Sequence, residues 1–123
     1  MPISKADLAF NKNEDHNRQL VYELKSKFKT VALGGGKKAA EKQKEKGKML
    51  ARERIEYLRD SNSPWVEVGA FAGDEMYEEH GGCPSAGVVV GVGYVKGRQC
   101  VIVANDATVK AGAWFPITGK KNL

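Results

Sequence analysis

The chain has 123 residues, of which 41% are apolar and 28% charged, with a net charge of +5. That length suits one domain, and no apolar run approaches the roughly 20 residues of a membrane span. The basicity sits in one half: residues 1–60 hold 15 Lys or Arg against 9 Asp or Glu, whereas residues 61–123 hold 5 against 6.

A basic half invites a nucleic-acid reading, but its lysines are interleaved with Glu41, Glu45, Glu53 and Glu56, and no aromatic residues alternate with them to stack bases. A solvated helix face, or a rim that attracts an anionic ligand or partner, fits better. The opening Met-Pro-Ile-Ser-Lys-Ala-Asp lacks the apolar run of a secretory signal, and the early Asp7, Glu14 and Asp15 are unlike a transit peptide. A cytoplasmic protein is expected, with no membrane and no nucleic-acid partner.

Taken in chain order, residues 1–12 read as an irregular arm. Asn13 is a plausible cap, and Asp15 favours a helix start there. Leu20, Leu24, Phe28 and Val31 then recur at helical spacing until Gly34-Gly35-Gly36 ends the helix. A second helix over 37–46 has only Ala39 and Ala40 as core candidates, so it should rest on another surface. Gly47 breaks it. Ala51, Ile55 and Leu58 predict a third, short helix closed near Asp60-Ser61-Asn62-Ser63-Pro64. Trp65 to Val68 is a short extended piece, and Gly69 to Ser85 reads as a long, Gly-rich, acidic loop.

Val88-Val89-Val90 and Val101-Ile102-Val103 predict two strands, with Lys96-Gly97 as the hairpin turn between them. Their apolar residues fall on consecutive positions, which implies burial on both faces, as in a layered α/β domain. Two strands cannot supply both covering layers, so those layers are expected from elsewhere. A helix is expected from Pro116 onward.

The candidate motifs narrow quickly. Gly34-Gly35-Gly36-Lys37-Lys38 follows a helix and lacks the phosphate-loop spacing. Gly91-Val92-Gly93-Tyr94-Val95-Lys96-Gly97 lies within a strand and has Lys96 where a dinucleotide fingerprint needs its third glycine. Cys83 reads as a loop thiol and Cys100 as a small core residue, with no metal-ligand spacing for either. His16 and His80 are isolated, and no nucleophile–base pair or carboxylate pair stands out. The stretch Asp106 to Ala113 remains: it links a buried strand to a helix, where α/β folds place ligand sites. Gly112 allows close backbone approach, its neighbours' N–H groups could face an anion or a polarised carbonyl, and Lys110 could meet a phosphate.

Gly34-Gly35-Gly36, the block Gly47-Lys48-Met49-Leu50-Ala51-Arg52-Glu53-Arg54-Ile55 and the block Ala104-Asn105-Asp106-Ala107-Thr108-Val109-Lys110 with Gly112 resemble the start of acyl-CoA carboxylase carboxyltransferase β subunits. The segments Ser61 to Glu67 and Pro116 to Leu123 extend the similarity, which is greatest to the methylcrotonoyl-CoA branch and covers about residues 20–123.

The resemblance implies a helical arm over 1–60 and the beginning of a crotonase-like α/β domain over 61–123. It implies transfer of a carboxyl group from carboxybiotin, held on a separate carrier domain, to an acyl-CoA such as 3-methylcrotonyl-CoA, with no metal in this chain. Lys110, Ala111 and Gly112 would lie near the CoA, and Arg52 and Arg54 would either serve its phosphates or form subunit contacts or internal salt bridges. Biotin carboxylase, biotin carrier and further carboxyltransferase subunits would be partners. In that family the oxyanion segment and the biotin half-site fall after Leu123, so residues 1–123 alone are expected to be inactive, and with strands meant for burial on both faces left uncovered they are expected to be poorly soluble. Two rivals stand beside this reading: a decarboxylase α subunit of the glutaconyl-CoA type, and a non-catalytic basic assembly module.

Overall fold

The structure is a computed structural model and describes residues 2–123. These fall into two compact units that divide between Thr30 and Val31.

The first unit is nearly all of one helix, α1 (Lys5–Ala32). It begins earlier than Asn13, because Ser4 and Asp7 form a reciprocal cap. The Asp7 N–H donates to Ser4 Oγ at 3.1 Å, and the Ser4 N–H donates to Asp7 Oδ2 at 3.2 Å. The Ser4 hydroxyl, which also donates to Asp7 Oδ2 at 2.7 Å, and then the Ser4 N–H hold the Asp7 carboxyl below its ordinary pKa. Residues 5–12, expected to be irregular, are therefore helical. Leu20, Leu24 and Phe28 line up along the helix as their spacing predicts, yet each is exposed.

The second unit carries α2 (Lys37–Glu45), α3 (Ala51–Leu58), the strands β1 (Val66–Val68), β2 (Val88–Val95) and β3 (Arg98–Asn105), and α4 (Pro116–Asn122). Positive-φ Gly34 and Gly36 turn the chain from α1 into α2. No α2 residue is fully buried, as its sequence requires. The strands form one antiparallel sheet in the order β1-β2-β3.

The hairpin turn falls at Lys96-Gly97, with φ of 52° and 75°. Asp60, just past α3, receives both turn N–H groups on its carboxylate at 2.7 Å and donates its own N–H to the Tyr94 carbonyl at 2.8 Å. One carboxylate thus ties the end of a helix to the register of a hairpin.

The pairing sets the two faces of the sheet. On one, Ile55 and Ala51 of α3 pack against Val89, Ile102 and Ala104, with Trp65 alongside. Gly91 is small for a reason: a Cβ there would overlap the Trp65 ring. On the other face the register makes two cross-strand rows of valine, Val66–Val92–Val101 and Val68–Val90–Val103. Val101 is 69% and Val66 62% exposed. The expected two-sided burial therefore holds on the helix side, and among the described residues no layer covers the valine side.

Candidate functional site

Two short connections shape the end of the sheet. Between β3 and α4, the Asp106 N–H donates to the Gly87 carbonyl at 2.9 Å, and Asp106 Oδ1 receives the Thr108 N–H at 2.9 Å together with its hydroxyl. Thr108 Oγ1 in turn accepts the N–H of Gly35 at 2.9 Å. A Cβ on Gly35 would overlap the Thr108 carbonyl. The triple glycine therefore does more than stop α1: it lets the chain press flat onto the Asp106–Thr108 turn. Sequence reading found the helix breaker and missed this docking, because its partner lies 73 residues away.

Val109, only 3% exposed, anchors the next step. Lys110, Ala111 and Gly112 then all lie in the left-handed region, with φ of 47°, 54° and 86°. Such a turn costs a non-glycine residue about 1–2 kcal/mol. The N–H groups of Gly112 and Ala113 close onto the carbonyls of Val109 and Lys110, at 2.9 and 3.0 Å. No described hydrogen bond uses the N–H of Lys110 or Ala111, and both residues are exposed. Chemically this is a surface turn with two uncommitted donors and an ammonium group, suited to an anion or a polarised carbonyl. The three residues singled out in the sequence are brought together in one turn.

A second left-handed turn, Ser85–Gly87, lies beneath, with φ of 51°, 55° and 70°. It is buried and its groups are engaged. The Lys121 ammonium donates to the carbonyls of Ser85 and Val88 at 2.8 and 2.7 Å. Burial lowers the Lys121 pKa, and the Glu67 carboxylate acts against that shift. Ser85 Oγ donates to the Ala70 carbonyl at 2.9 Å. Cys83 is buried beside this turn, so it sits in a loop but is not accessible there, and burial raises its pKa. Cys100 is half-buried against the core under α3.

The two arginines diverge. Arg52 forms a bidentate pair with Glu67 and also reaches Ser85 Oγ at 3.5 Å. Of its expected roles the internal salt bridge is the observed one. Arg54, two residues on and so on a different side of α3, donates to the Asn105 carbonyl and lines a cavity of about 460 Å³. Lys48, Met49, Asp106, Ala107 and Thr108 also form its walls. His16 and His80 are exposed, and Phe115 stacks on Tyr77 with ring centres 4.3 Å apart. Among the described residues no group of His, Cys, Asp and Glu could hold a metal ion, and no helix is long and apolar enough to cross a membrane.

A family model described as the carboxyl transferase domain matches residues 42–123. The chain is 48% identical over 109 residues to the biotin-dependent 3-methylcrotonyl-coenzyme A carboxylase beta1 subunit of Mycobacterium tuberculosis, covering 89% of this chain and 20% of that protein. It is 46% identical over 121 residues to the probable mitochondrial methylcrotonoyl-CoA carboxylase beta chain of Drosophila melanogaster, covering 98% and 21%. Among solved structures, the transcarboxylase 12S hexamer core with methylmalonyl-coenzyme A bound superposes with a TM-score of 0.77 at 32% identity, covering 85% of this chain and 21% of that one. The chain thus spans about a fifth of the length of the curated relatives it matches.

Proposed function

The chain belongs to the carboxyl transferase family, and from that premise we propose that it forms the acyl-CoA side of a biotin-dependent carboxyltransferase subunit acting on 3-methylcrotonyl-CoA or a similar short acyl-CoA. Its fold is the crotonase-like α/β arrangement of carboxyltransferase subunits. The observation that carries the proposal is the family match itself, which takes in the sheet, the Asp106–Thr108 turn and the exposed turn after it.

Carboxybiotin, on a separate carrier domain, would supply the carboxyl group. What these residues contribute is positioning and charge. Lys110, Ala111 and Gly112 would meet the coenzyme part of the thioester, with the uncommitted N–H groups of Lys110 and Ala111 as donors and the Lys110 ammonium as counter-charge. Val109, Asp106 and the Gly35 contact hold that turn in place before substrate arrives, so little ordering remains to be done on binding. No side-chain acid–base pair is needed where the protein's task is to stabilise an enolate oxygen with fixed donors. The valine face would be covered by the remaining carboxyltransferase sequence. The working assembly would include carboxyltransferase subunits, biotin carboxylase and the biotin carrier.

The test uses the polypeptide that carries these residues, supplied with biotin carboxylase, biotin carrier, ATP and labelled bicarbonate. Acid-stable label should appear in 3-methylcrotonyl-CoA. Absence of label from every short acyl-CoA offered, with the carrier itself shown to be carboxylated, would overturn the reading.

A further inference from the structure

The exposed stripe of α1 has no role in the account so far. Ala6, Phe10, Leu20 and Leu24 fall on one side of the helix, and Asn13 and Asn17 fill the gap between them at the same alternating spacing of four and three. Phe10 is 67%, Leu24 54% and Leu20 48% exposed, apolar area that a partner would remove from water. A groove of about 710 Å³ runs beside the stripe from Phe10 to Lys25, and every residue that lines it belongs to α1. The carboxyl transferase match begins at residue 42, after this helix.

The stripe is symmetric about its middle: two apolar residues, two asparagines, two apolar residues. Laid antiparallel on a second copy of itself, it meets in matched layers. Phe10 faces Leu20 of the second copy, Ala6 faces Leu24, and Asn13 faces Asn17, whose amides can bond each other. A polar layer inside an apolar seam fixes the register, because a slip sets an asparagine against Leu or Phe.

Charge decides the direction. Asp7 and Lys25 project on one flank of the stripe, and Lys5 and Glu23 on the other. Antiparallel pairing brings Asp7 beside Lys25 of the second copy and Lys5 beside its Glu23. Parallel pairing would set each charge beside its own like and crowd the basic ends, with Lys25 and Lys29, together. The helix dipoles also favour the antiparallel pair.

We propose that α1 is a self-association surface, pairing antiparallel with α1 of a second copy across a two-fold seam centred on Asn13 and Asn17. The proposal goes beyond the acyl-CoA reading and does not rest on it.

Disulfide trapping in the polypeptide that carries these residues tests the seam without substrate. Asn13→Cys and Asn17→Cys replace exposed residues, each made with Cys100→Ala, while Cys83 is buried. Co-expressed and oxidised with copper phenanthroline, the two variants should form a covalent dimer on a non-reducing gel. Each alone should give little, because its thiols lie a helical turn, about 5 Å along the axis, out of line. Leu20→Glu, which sets a carboxylate against Phe10 of the second copy, should cut the yield about tenfold with circular dichroism unchanged. No dimer from the co-expressed pair would mean that another surface, such as the remaining carboxyltransferase sequence, covers the stripe. As much dimer from either variant alone would mean a parallel or unspecific contact. Either result, or an unaltered yield with Leu20→Glu, would overturn the proposal. Label transfer without the cross-link sinks the pairing alone, and the cross-link without label transfer sinks the carboxyltransferase reading alone.

Discussion

Two turns of this molecule share a backbone conformation and differ in everything around it. Ser85–Gly87 and Lys110–Gly112 are each three consecutive left-handed residues, and each places two side-chain-bearing residues where glycine is normal. The first is buried, with Lys121 on the carbonyls of Ser85 and the adjoining Val88 and the Ser85 hydroxyl on the Ala70 carbonyl. The second is exposed, with two N–H groups that no described hydrogen bond uses. The same local strain thus appears once where surrounding contacts hold it for the sake of the fold, and once where the donors remain available to something else.

The sharpest way to break the exposed turn is through its support. Gly35→Val would drive a side chain into the Thr108 carbonyl and should destabilise the protein by about 3 kcal/mol or more, read as a lowered denaturation midpoint. Next comes the buried turn's counter-charge. Lys121→Met removes the ammonium donor from the carbonyls of Ser85 and Val88, although Ser85 keeps the Val88 N–H, for a loss of about 2 kcal/mol in the same measurement. A smaller effect separates the two turns directly. Ala111→Gly relieves strain at an exposed site and should stabilise by ~0.5–1 kcal/mol. Ala86→Gly relieves the same strain but gives up a methyl that is 0% exposed, worth about 0.8 kcal/mol, so it should be neutral or destabilising. Equal responses in paired thermal melts would erase the distinction.

The smallest effect is a pH dependence. Burial raises the Cys83 pKa above its usual 9.0, so above that pH the unfolded chain releases a proton that the folded chain retains. Stability conferred by the protonated thiol is present below pH 9.0 and declines as pH rises beyond it. Lys121 works in the opposite sense: its pKa is lowered from 10.5, so its contribution grows as pH rises towards that value. Cys83→Ala should therefore flatten any fall in stability above pH 9.0, and identical slopes for variant and wild type would contradict this.

Much of this was legible in sequence, for identifiable reasons. α2, α3 and the hairpin are bounded by glycines and by Asp60-Ser61-Asn62, whose effect is local. The valine runs announced strands, and their burial differs by face because only α3 is present to cover one. The early start of α1 is also written locally, as Ser4-x-x-Asp7, nine residues ahead of the Asn13 cap candidate. Other features were not readable. That Arg52 turns to Glu67 while Arg54 turns to a cavity depends on where the sheet lies relative to α3. Left-handed Ser85, Ala86, Lys110 and Ala111 carry no glycine to betray them. Lys121 lies in the last turn of α4, and its carbonyl partners lie 33 and 36 residues back.

The measurement that tests the central claim most directly is a titration of 3-methylcrotonyl-CoA followed by backbone amide NMR. The account predicts that the amide signals of Lys110 and Ala111 shift progressively to saturation while those of Ser85 and Ala86 stay in place. Signals of Lys110 and Ala111 that do not move while the thioester binds, or that move no more than those of the buried turn, would contradict it.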